Sequence, residues 1–368
     1  MSWSYQIKRI FMKNYIKIYA LKIIIICLLI IILISEKIKK IKKIKKVGII
    51  GLRHEVNVGN NLIKYAISIK LSELGFIPYI IGTHLGNYNI SFIQNKTNCI
   101  IIKNNFSEIK EKDYEILMVN SDQTWRRFDE HFYDYGFLKF AKSWNIPKFI
   151  YGASLGYDFW TLTKEDEIII KELINQFSGI SVREKGSIKL IKKHLGIEPL
   201  FVLDPTLLIN KNYYLDLIKN YKKNININDS FIFTYLIIKE NSTNKFIEKA
   251  CTKLGYKNYH VEMNKINSIE EFIYGINNSK AVITNSFHGT IFSIMFKKPF
   301  ITFIFKNSPR ERLISLKKVF HLEDRIFEFN QTPNINLLTT PINVNETLIN
   351  LLKNQSINFL KKNLGLIK

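Results

Sequence analysis

Short apolar runs alternate with amphipathic segments along most of the chain. The apolar run at 47–52 predicts a buried strand, and the helical spacing of apolar residues over 62–74 predicts a helix that Gly75 closes. A second apolar run at 77–81 predicts another strand. A strand, a helix and a strand in immediate succession are typical of a βαβ unit.

The alternation continues in two series separated by a polar stretch at 220–229. In the first series, strands are predicted at 99–102, 116–120, 149–153, 179–182 and 201–203, and helices at 133–143, 164–176 and 184–194. In the second series, strands are predicted at 231–237, 259–261, 281–284 and 300–303, and helices at 244–254, 268–276 and 290–296. An amphipathic segment at 350–368 predicts a closing helix.

Alternating strands and helices imply mostly parallel sheets covered by helices. Two series of this kind predict an α/β protein with two Rossmann-like lobes and a cleft between them. We therefore divide the chain into an N-terminal segment at 1–46, a first lobe at 47–218, and a second lobe at 219–368 that includes the closing helix.

The N-terminal segment carries an apolar run followed by a polybasic run, and we expect it to form a helix. Residues 23–34 are twelve uncharged apolar residues, and residues 37–46 contain seven lysines. A membrane span needs about 20 apolar residues, so this run is short. Because the heavier charge follows the run and no small-residue cleavage site is present, a cleaved secretion signal is rejected.

Three interpretations of this segment remain open. The first is a short membrane anchor, and the second is an interfacial helix whose lysines bind an anionic membrane surface. The third is that the segment is an unstructured basic leader or results from a wrongly assigned start codon. Both membrane interpretations place the body of the protein on the cytoplasmic side of the cell membrane.

The charge of the chain is concentrated in that segment. The net charge is +23, and residues 1–46 contribute +11 of it through 12 Lys and Arg and the single acid Glu36. A nucleic-acid partner is therefore not predicted for the body. The three cysteines are far apart and form neither a zinc motif nor a disulfide framework, which suits a reducing compartment. No DxD motif follows a predicted strand and no HExxH motif or EF-hand loop occurs, so no metal site is predicted.

Ligands of open α/β sheets bind at the carboxyl ends of the strands, so polar clusters after apolar runs are candidate sites. The first cluster contains Asn57, Gly59 and Asn60 ahead of a predicted helix. Its backbone N–H groups favour an anion, although a capped turn would have the same composition. It matches neither GxGxxG nor a Walker loop.

The second cluster, at 120–125, contains Asp122, Gln123 and Trp125. Its polar groups could bind sugar hydroxyls while the indole stacks on the sugar ring, and the alternative is an Asx turn. A third cluster places Ser154 among small residues that let a ligand approach the backbone.

Two further clusters carry a cation or an imidazole. Arg183 stands where a predicted strand becomes a helix and could bind a phosphate or a carboxylate through its planar fork, although a structural network with Glu184 is the alternative. Ser286 and His288 stand at the same kind of junction in the second lobe, where histidine suits proton transfer near neutral pH. Because both junctions face a cleft, we expect them to be open rather than core positions.

Six segments together resemble the polysaccharide pyruvyl transferase family. They are VGIIGLRHEVNVGNNLIKYA, VNSDQTW, YGASLG, SVRE, LDPTLL and NSFHGTIFS, in order across residues 47–305. The chain departs from the family pattern at Asn60, where an acid is common, and at Asn120, where a glycine is common.

The resemblance implies a GT-B-like fold and a transferase of exopolysaccharide or cell-envelope biosynthesis. Such an enzyme transfers a pyruvate ketal from phosphoenolpyruvate, its donor substrate, to a sugar of a surface polysaccharide or its lipid-linked oligosaccharide precursor, with no cofactor. Two alternatives stay open: a metal-independent GT-B glycosyltransferase that uses a nucleotide sugar, and an inactive glycan-binding module.

The resemblance also suggests roles for the candidate residues. Arg183 is the expected anion clamp, and His288 is the expected acid/base or stabiliser of the leaving phosphate. Asn57, Gly59, Asp122 and Gln123 are expected to shape the acceptor side or the cleft. The list of expected substrate-binding residues is completed by Asn60, Ser154, Ser286 and, as second-rank phosphate ligands, Arg310 and Arg312.

Overall fold

The computed structural model describes residues 26, 28–30, 45–51, 58–82, 87–102, 106–221, 230–262, 269–306 and 308–368. Lys45–Lys368 forms one compact unit, and Met1–Ile44 is assigned to a separate unit. The predicted N-terminal apolar and polybasic helix lies almost entirely outside the described residues and stays a prediction. Within the described residues, no helix has both the length and the apolar character that a membrane crossing requires.

A seven-stranded parallel sheet forms the centre of the first lobe. Its strands are β1 (Lys46–Ile50), β2 (Ile77–Ile81), β3 (Ile100–Ile102), β4 (Ile116–Val119), β5 (Lys148–Ala153), β6 (Gly179–Val182) and β7 (Leu200–Phe201). The strand order is β3-β2-β1-β4-β5-β6-β7, which is the Rossmann order with an added edge strand. The strands are short, continuous apolar runs because helices cover both faces of such a sheet.

A five-stranded parallel sheet forms the centre of the second lobe. Its strands are β8 (Phe231–Leu236), β9 (Lys257–Glu262), β10 (Ala281–Thr284), β11 (Phe300–Ile304) and β12 (Ile326–Glu328), in the order β12-β11-β10-β8-β9. The strand order reverses between β1 and β4 in the first sheet and between β8 and β10 in the second. These reversals are the switch points at which α/β proteins bind ligands.

Eleven helices are described around the two sheets. They are α1 (Val58–Glu73), α2 (Asn87–Lys96), α3 (Phe132–Phe137), α4 (Lys164–Leu173), α5 (Lys185–Leu195), α6 (Lys211–Ile218), α7 (Asn241–Leu254), α8 (Ile269–Asn278), α9 (Phe287–Met295), α10 (Glu311–Phe320) and α11 (Glu346–Asn363). The prediction of one helix over 133–143 is wrong, because Leu138 adopts a left-handed conformation, with φ of 52°, that ends α3.

Aromatic side chains join the two lobes in one core. Tyr214 of α6 packs edge-on against Phe292 of α9, with ring centroids 4.8 Å apart, and lies 5.9 Å from the ring of Tyr65 in α1. All three rings belong to a continuous buried cluster that also contains residues of both sheets. This shared core brings the carboxyl ends of strands from both lobes to one place.

The C-terminal helix α11 returns to the first sheet. Ser356 Oγ accepts a hydrogen bond of 2.9 Å from the N–H of Leu203, and Gln355 Nε2 donates one of 2.7 Å to the carbonyl of Phe201. The closing helix thus packs beside β7 although it follows the second lobe in the chain. The boundaries at 1–46, 47–218 and 219–368 stay predictions.

Candidate functional site

Five side chains from both lobes converge where the carboxyl ends of the strands meet. We call them the interlobe cluster: Asp122 after β4, Arg183 after β6, Asp204 after β7, His288 in α9 and Arg312 in α10. All but Arg312 follow their strands within a few residues. The cluster therefore lies where the topology of parallel sheets places ligands.

Arg183 is the centre of the cluster. Its Nη2 contacts Asp122 Oδ1 and its Nη1 contacts Asp204 Oδ2, and the guanidinium is completely buried. The planar fork thus bridges two carboxylates that arise 82 residues apart in the chain (204 − 122). The expectation that this position is open is wrong, because the side chains of both lobes enclose it.

Asp122 occupies an unusual backbone conformation. Its φ is +113°, a region that residues other than glycine rarely adopt. Its Oδ1 contacts Arg183 and lies 3.5 Å from Arg312 Nη1. Such conformations persist only where the surroundings enforce them, and they gather at functional sites, so Asp122 is a candidate site residue.

Asp204 was missed as a site residue, although it lies in the LDPTLL segment. It follows β7, and its Oδ1 accepts hydrogen bonds from the N–H and the hydroxyl of Thr206 at 3.0 and 2.7 Å. Its Oδ2 lies 3.8 Å from His288 Nε2. The available signal was an aspartate directly after an apolar run and before a proline.

His288 approaches the first lobe closely. A Cβ atom on Gly59 would lie 2.0 Å from His288 Nδ1, so the imidazole rests against the backbone of α1. The structure thus brings together two residues that were predicted on separate loops. Ser286, by contrast, caps α9 by accepting a hydrogen bond of 3.3 Å from the N–H of Gly289.

Arg312 completes the cationic side of the cluster. Its guanidinium carbon lies 5.3 Å from the ring centroid of Phe287, and that of Arg183 lies 4.9 Å from the same ring. Both guanidinium groups therefore make cation–π contacts with one phenyl ring.

Burial and charge oppose each other in the pKa values of the cluster. Burial alone would raise the pKa of Asp122 and of Asp204, but Arg183 together with His288 and other neighbours outweighs it and holds both pKa values below their usual range. Burial would lower the pKa of Arg183, yet the two carboxylates raise it. Burial and repulsion from Arg183 together lower the pKa of Arg312.

Several buried polar atoms at this site have no hydrogen-bond partner among the described residues. They are Asn60 Oδ1, Asn61 Oδ1, Asn120 Oδ1, Arg183 Nε, His288 Nε2 and Arg312 Nε. Buried polar groups are normally satisfied, so the unpaired Arg183 Nε, His288 Nε2 and Arg312 Nε within the interlobe cluster indicate a place where a polar ligand or water binds. The amides at Asn60 and Asn120 are the two positions where the sequence departs from the family pattern.

Other predicted residues lie around the cluster rather than in it. Ser154 donates to the buried carboxylate of Glu184, and Gln123 Oε1 accepts a hydrogen bond of 3.1 Å from Arg126. Arg310 Nη2 lies 2.6 Å from Glu328 Oε1. Asn57 lies outside the described residues.

Trp125 does not form the predicted sugar-stacking surface. It is fully buried and stacks on Phe137, with ring centroids 5.0 Å apart. The indole belongs to the core of the first lobe, so that expectation is wrong. In the part of the chain that the structure describes, no group of three or more His, Cys, Asp or Glu side chains could hold a metal ion.

Residues 57–307 match the sequence model of the family described as polysaccharide pyruvyl transferase. The match covers more than half of the chain and includes every member of the interlobe cluster except Arg312. No curated protein matches the sequence.

Several solved structures are similar in fold at low sequence identity. A UDP-N-acetylglucosamine 2-epimerase has a TM-score of 0.53 at 9% identity, over 89% of this chain and 98% of that chain. Staphylococcus aureus MnaA, solved with UDP, has a TM-score of 0.51 at 15% identity, over 88% and 98%. A putative UDP-N-acetylglucosamine 2-epimerase of Listeria monocytogenes has a TM-score of 0.51 at 13% identity, over 86% and 90%. These similarities show the fold, which is GT-B-like with two Rossmann-like lobes.

Proposed function

Because this chain belongs to the polysaccharide pyruvyl transferase family, we propose that it transfers a pyruvate ketal from phosphoenolpyruvate to a sugar of a surface polysaccharide or its lipid-linked precursor. The observation that carries this proposal is the interlobe cluster, in which the buried guanidinium of Arg183, the half-buried guanidinium of Arg312 and an imidazole meet at the strand ends of both lobes. Phosphoenolpyruvate offers a phosphate and a carboxylate, which are the groups that such a site attracts.

The two guanidinium groups have different tasks in this proposal. The two terminal nitrogens of Arg183 are already bonded to Asp122 and Asp204, so Arg183 chiefly fixes those carboxylates. Among the described residues Arg312 makes one ion pair, with Asp122 at 3.5 Å, and Arg183 repels it. Because burial and Arg183 together outweigh its carboxylate neighbours and lower its pKa, Arg312 favours an incoming anion and is the stronger candidate for the phosphate or carboxylate of the donor.

His288 is the proposed proton carrier. In the overall step, the methylene carbon of phosphoenolpyruvate gains a proton, two sugar hydroxyls form bonds to C2, and the C2–O bond to phosphate breaks. The two hydroxyls release two protons, of which one balances the new methyl group and the other leaves with the phosphate. The unpaired Nε2 of His288 and its neighbour Asp204 are suitably placed to move a proton in this step.

The acceptor sugar would lie on the side of the unpaired amides. Asn60 lies in the first turn of α1, and Asn120 follows β4 beside the first switch point, so both oxygens can accept hydrogen bonds from sugar hydroxyls. This arrangement supports acceptor binding without naming the sugar.

A second candidate, a glycosyltransferase that uses a nucleotide sugar, is favoured by one observation. Staphylococcus aureus MnaA, which is similar in fold, was solved with UDP. In this alternative, the nucleoside diphosphate of the donor would bind at the strand ends of the two lobes.

A donor assay separates these functions. The full-length protein is incubated with labelled phosphoenolpyruvate or with UDP-sugars, and with a panel of nitrophenyl hexosides and pyrophosphate-linked lipid oligosaccharides. Acceptor-dependent release of phosphate, with label incorporated into the acceptor, supports pyruvyl transfer. Release of UDP would instead establish glycosyl transfer, and binding of acceptor without turnover of either donor would indicate an inactive glycan-binding module.

A further inference from the structure

A second cavity lies on the second lobe, between α7 and the segment that follows β12. Its volume is about 330 Å³. It is lined by Ser242, Thr243, Lys245, Phe246, Lys249, Phe303 and residues 329–332. We call it the α7 cavity.

Phenyl rings form the apolar surface of the α7 cavity. Phe329 is 41% exposed and stacks on Phe305, with ring centroids 5.6 Å apart. Phe246 and Phe303, which also line the cavity, pack edge-on against each other with ring centroids 5.5 Å apart. A stacked and exposed phenyl ring is a suitable surface for the apolar face of a pyranose, because its position is already fixed by packing.

Two lysines give the α7 cavity its charge. Lys245 and Lys249 lie one helical turn apart on α7, are exposed, and have no ion-pair partner in the described part of the chain. Neighbouring lysines are compensated: Lys239 pairs with Glu262 at 2.7 Å, and Lys253 donates to Asn336 Oδ1 at 3.1 Å. Since the residues lining the cavity include no Asp or Glu, its potential favours an anion.

An ion pair of Arg310 joins the segment beside the α7 cavity to the segment that carries Arg312. Phe329 directly follows Glu328, whose Oε1 lies 2.6 Å from Arg310 Nη2. Arg310 in turn stands two residues before Arg312. A glycan whose reacting unit lies near Arg312 could therefore continue along this side of the second lobe.

We propose that the α7 cavity binds a carboxylate-bearing pyranose of the acceptor glycan, at a unit other than the one that is modified. The proposal rests on the proposed function, because it takes the acceptor to be a glycan. Phe329 packs against the sugar ring while Lys245 and Lys249 bind the carboxylate. Such a sugar is either a uronic acid or a unit that already carries a pyruvate ketal, since both combine a pyranose with a carboxylate.

Direct binding tests the proposal without any donor. The full chain is titrated by calorimetry at fixed salt with methyl 4,6-O-(1-carboxyethylidene)-galactoside, with methyl glucuronide and with the neutral methyl galactoside. At least one acidic sugar is expected to bind at least about 5-fold more tightly than the neutral sugar. The reason is that the neutral sugar has no carboxylate for the two lysines to contact. Binding of only one acidic sugar identifies which source the cavity recognises.

Variants assign the binding to the cavity. Lys245→Ala combined with Lys249→Ala is expected to weaken acidic-sugar binding about 5-fold or more, and Phe329→Ala to weaken the binding of both kinds of sugar. Lys253→Ala, on the same helix, is the matched control and keeps the parental affinity. Equal affinity for acidic and neutral sugars, or parental affinity in the double lysine variant, overturns the proposal.

Turnover separates this proposal from the proposed function. Acidic-sugar binding that depends on Lys245 and Lys249, without any turnover of phosphoenolpyruvate, would keep the α7 cavity and reject pyruvyl transfer. Acceptor-dependent phosphate release without such binding would support pyruvyl transfer and reject the α7 cavity as a sugar site. If both hold, the double lysine variant raises KM for an acidic acceptor and leaves kcat and the KM for phosphoenolpyruvate unchanged.

Discussion

The imidazole of His288 lies directly against Gly59, although the two residues belong to different lobes. A Cβ atom on Gly59 would lie 2.0 Å from His288 Nδ1 and 2.4 Å from Cε1. Because real Cβ atoms do not approach that closely, any side chain at residue 59 would displace either the ring or the start of α1. The glycine thus sets the position of His288 relative to Asp204.

We expect Gly59→Ala to lower turnover while the protein remains folded. A displacement of His288 by about 1 Å is enough to reduce the rate about 10²-fold. Steady-state phosphate release from phosphoenolpyruvate measures the effect, and circular dichroism checks the fold. Gly51→Ala is the matched control, because a Cβ there would meet its nearest neighbour at 3.6 Å, an ordinary contact. Equal rates in Gly59→Ala and Gly51→Ala would show that the contact between residue 59 and His288 does not affect turnover.

His288→Ala is expected to lower kcat about 10²- to 10⁴-fold, the range for loss of a general acid or base. His288→Gln should recover little of that loss, because an amide can hydrogen-bond but cannot carry a proton at neutral pH. The KM for phosphoenolpyruvate should change less than kcat. Near-normal turnover in a folded His288→Ala protein would remove this residue from the proposed mechanism.

The sequence predicted which strand ends would meet better than it predicted the contacts between their side chains. Arg183 and His288 could be found because each follows an apolar run that becomes a helix, and parallel strands bring such junctions to one edge. The bonds of Arg183 to Asp122 and Asp204 could not be predicted, since they depend on side-chain directions across separate strands. For that reason the burial of Arg183 was not anticipated.

Three of the elements that were missed are weakly marked in the sequence. Helices Asn87–Lys96 and Lys211–Ile218 and strand Ile326–Glu328 are either polar or short. Helix Glu311–Phe320 mattered most, because its first turn carries Arg312 into the interlobe cluster. Because that helix was not predicted, Arg312 was indistinguishable from a surface arginine beyond the last predicted strand.

Arg183→Lys should destabilise the protein as well as impair its activity. An ammonium group cannot bridge Asp122 and Asp204 in the way that the planar fork does, so one buried carboxylate loses its partner. We expect a loss of about 3 kcal/mol in the free energy of unfolding. Arg127→Lys, whose ion pair with Asp166 is half-exposed on the arginine side, should cost less than about 1 kcal/mol.

Urea denaturation of both variants measures this difference. If Arg183→Lys unfolds at the parental urea concentration yet binds phosphoenolpyruvate weakly, Arg183 acts on the donor directly rather than by fixing the two carboxylates. That outcome would restore the role that the sequence suggested for it.

Removal of residues 1–45 is expected to abolish membrane association and to leave turnover of a soluble acceptor unchanged. The motivation is the apolar run at 23–34 followed by seven lysines at 37–46. Cell fractionation measures the first effect. Release of the full-length protein by high salt would identify a surface-bound helix, and retention would identify an anchor. Full-length protein that is entirely cytosolic at low salt would refute the membrane association.

Glu311 links the two lobes through the start of α5. Its Oε1 accepts a hydrogen bond of 3.1 Å from the N–H of Gly186, and its own N–H donates one of 3.1 Å to the carbonyl of Gly156. Burial, followed by repulsion from Glu184, raises the pKa of Glu311 to about 7, while the N–H of Gly186 opposes the rise. An exposed glutamate has a pKa of about 4.3.

This raised pKa makes the stability of the protein depend on pH. Between about pH 4.3 and 7 the folded protein holds a proton that the unfolded chain has released, so the free energy of unfolding falls as the pH rises and levels off above about 7. Glu311→Gln keeps an oxygen for the N–H of Gly186 and cannot ionise. We therefore expect the variant to be more stable than the parent at pH 8, by up to about 3 kcal/mol, and the difference to shrink to about 1 kcal/mol at pH 5. Urea midpoints at four pH values between 5 and 8 measure this difference in stability, and Glu346→Gln, at an exposed residue, is the control. Parallel pH profiles in the parent and in Glu311→Gln would show that Glu311 does not cause the pH dependence.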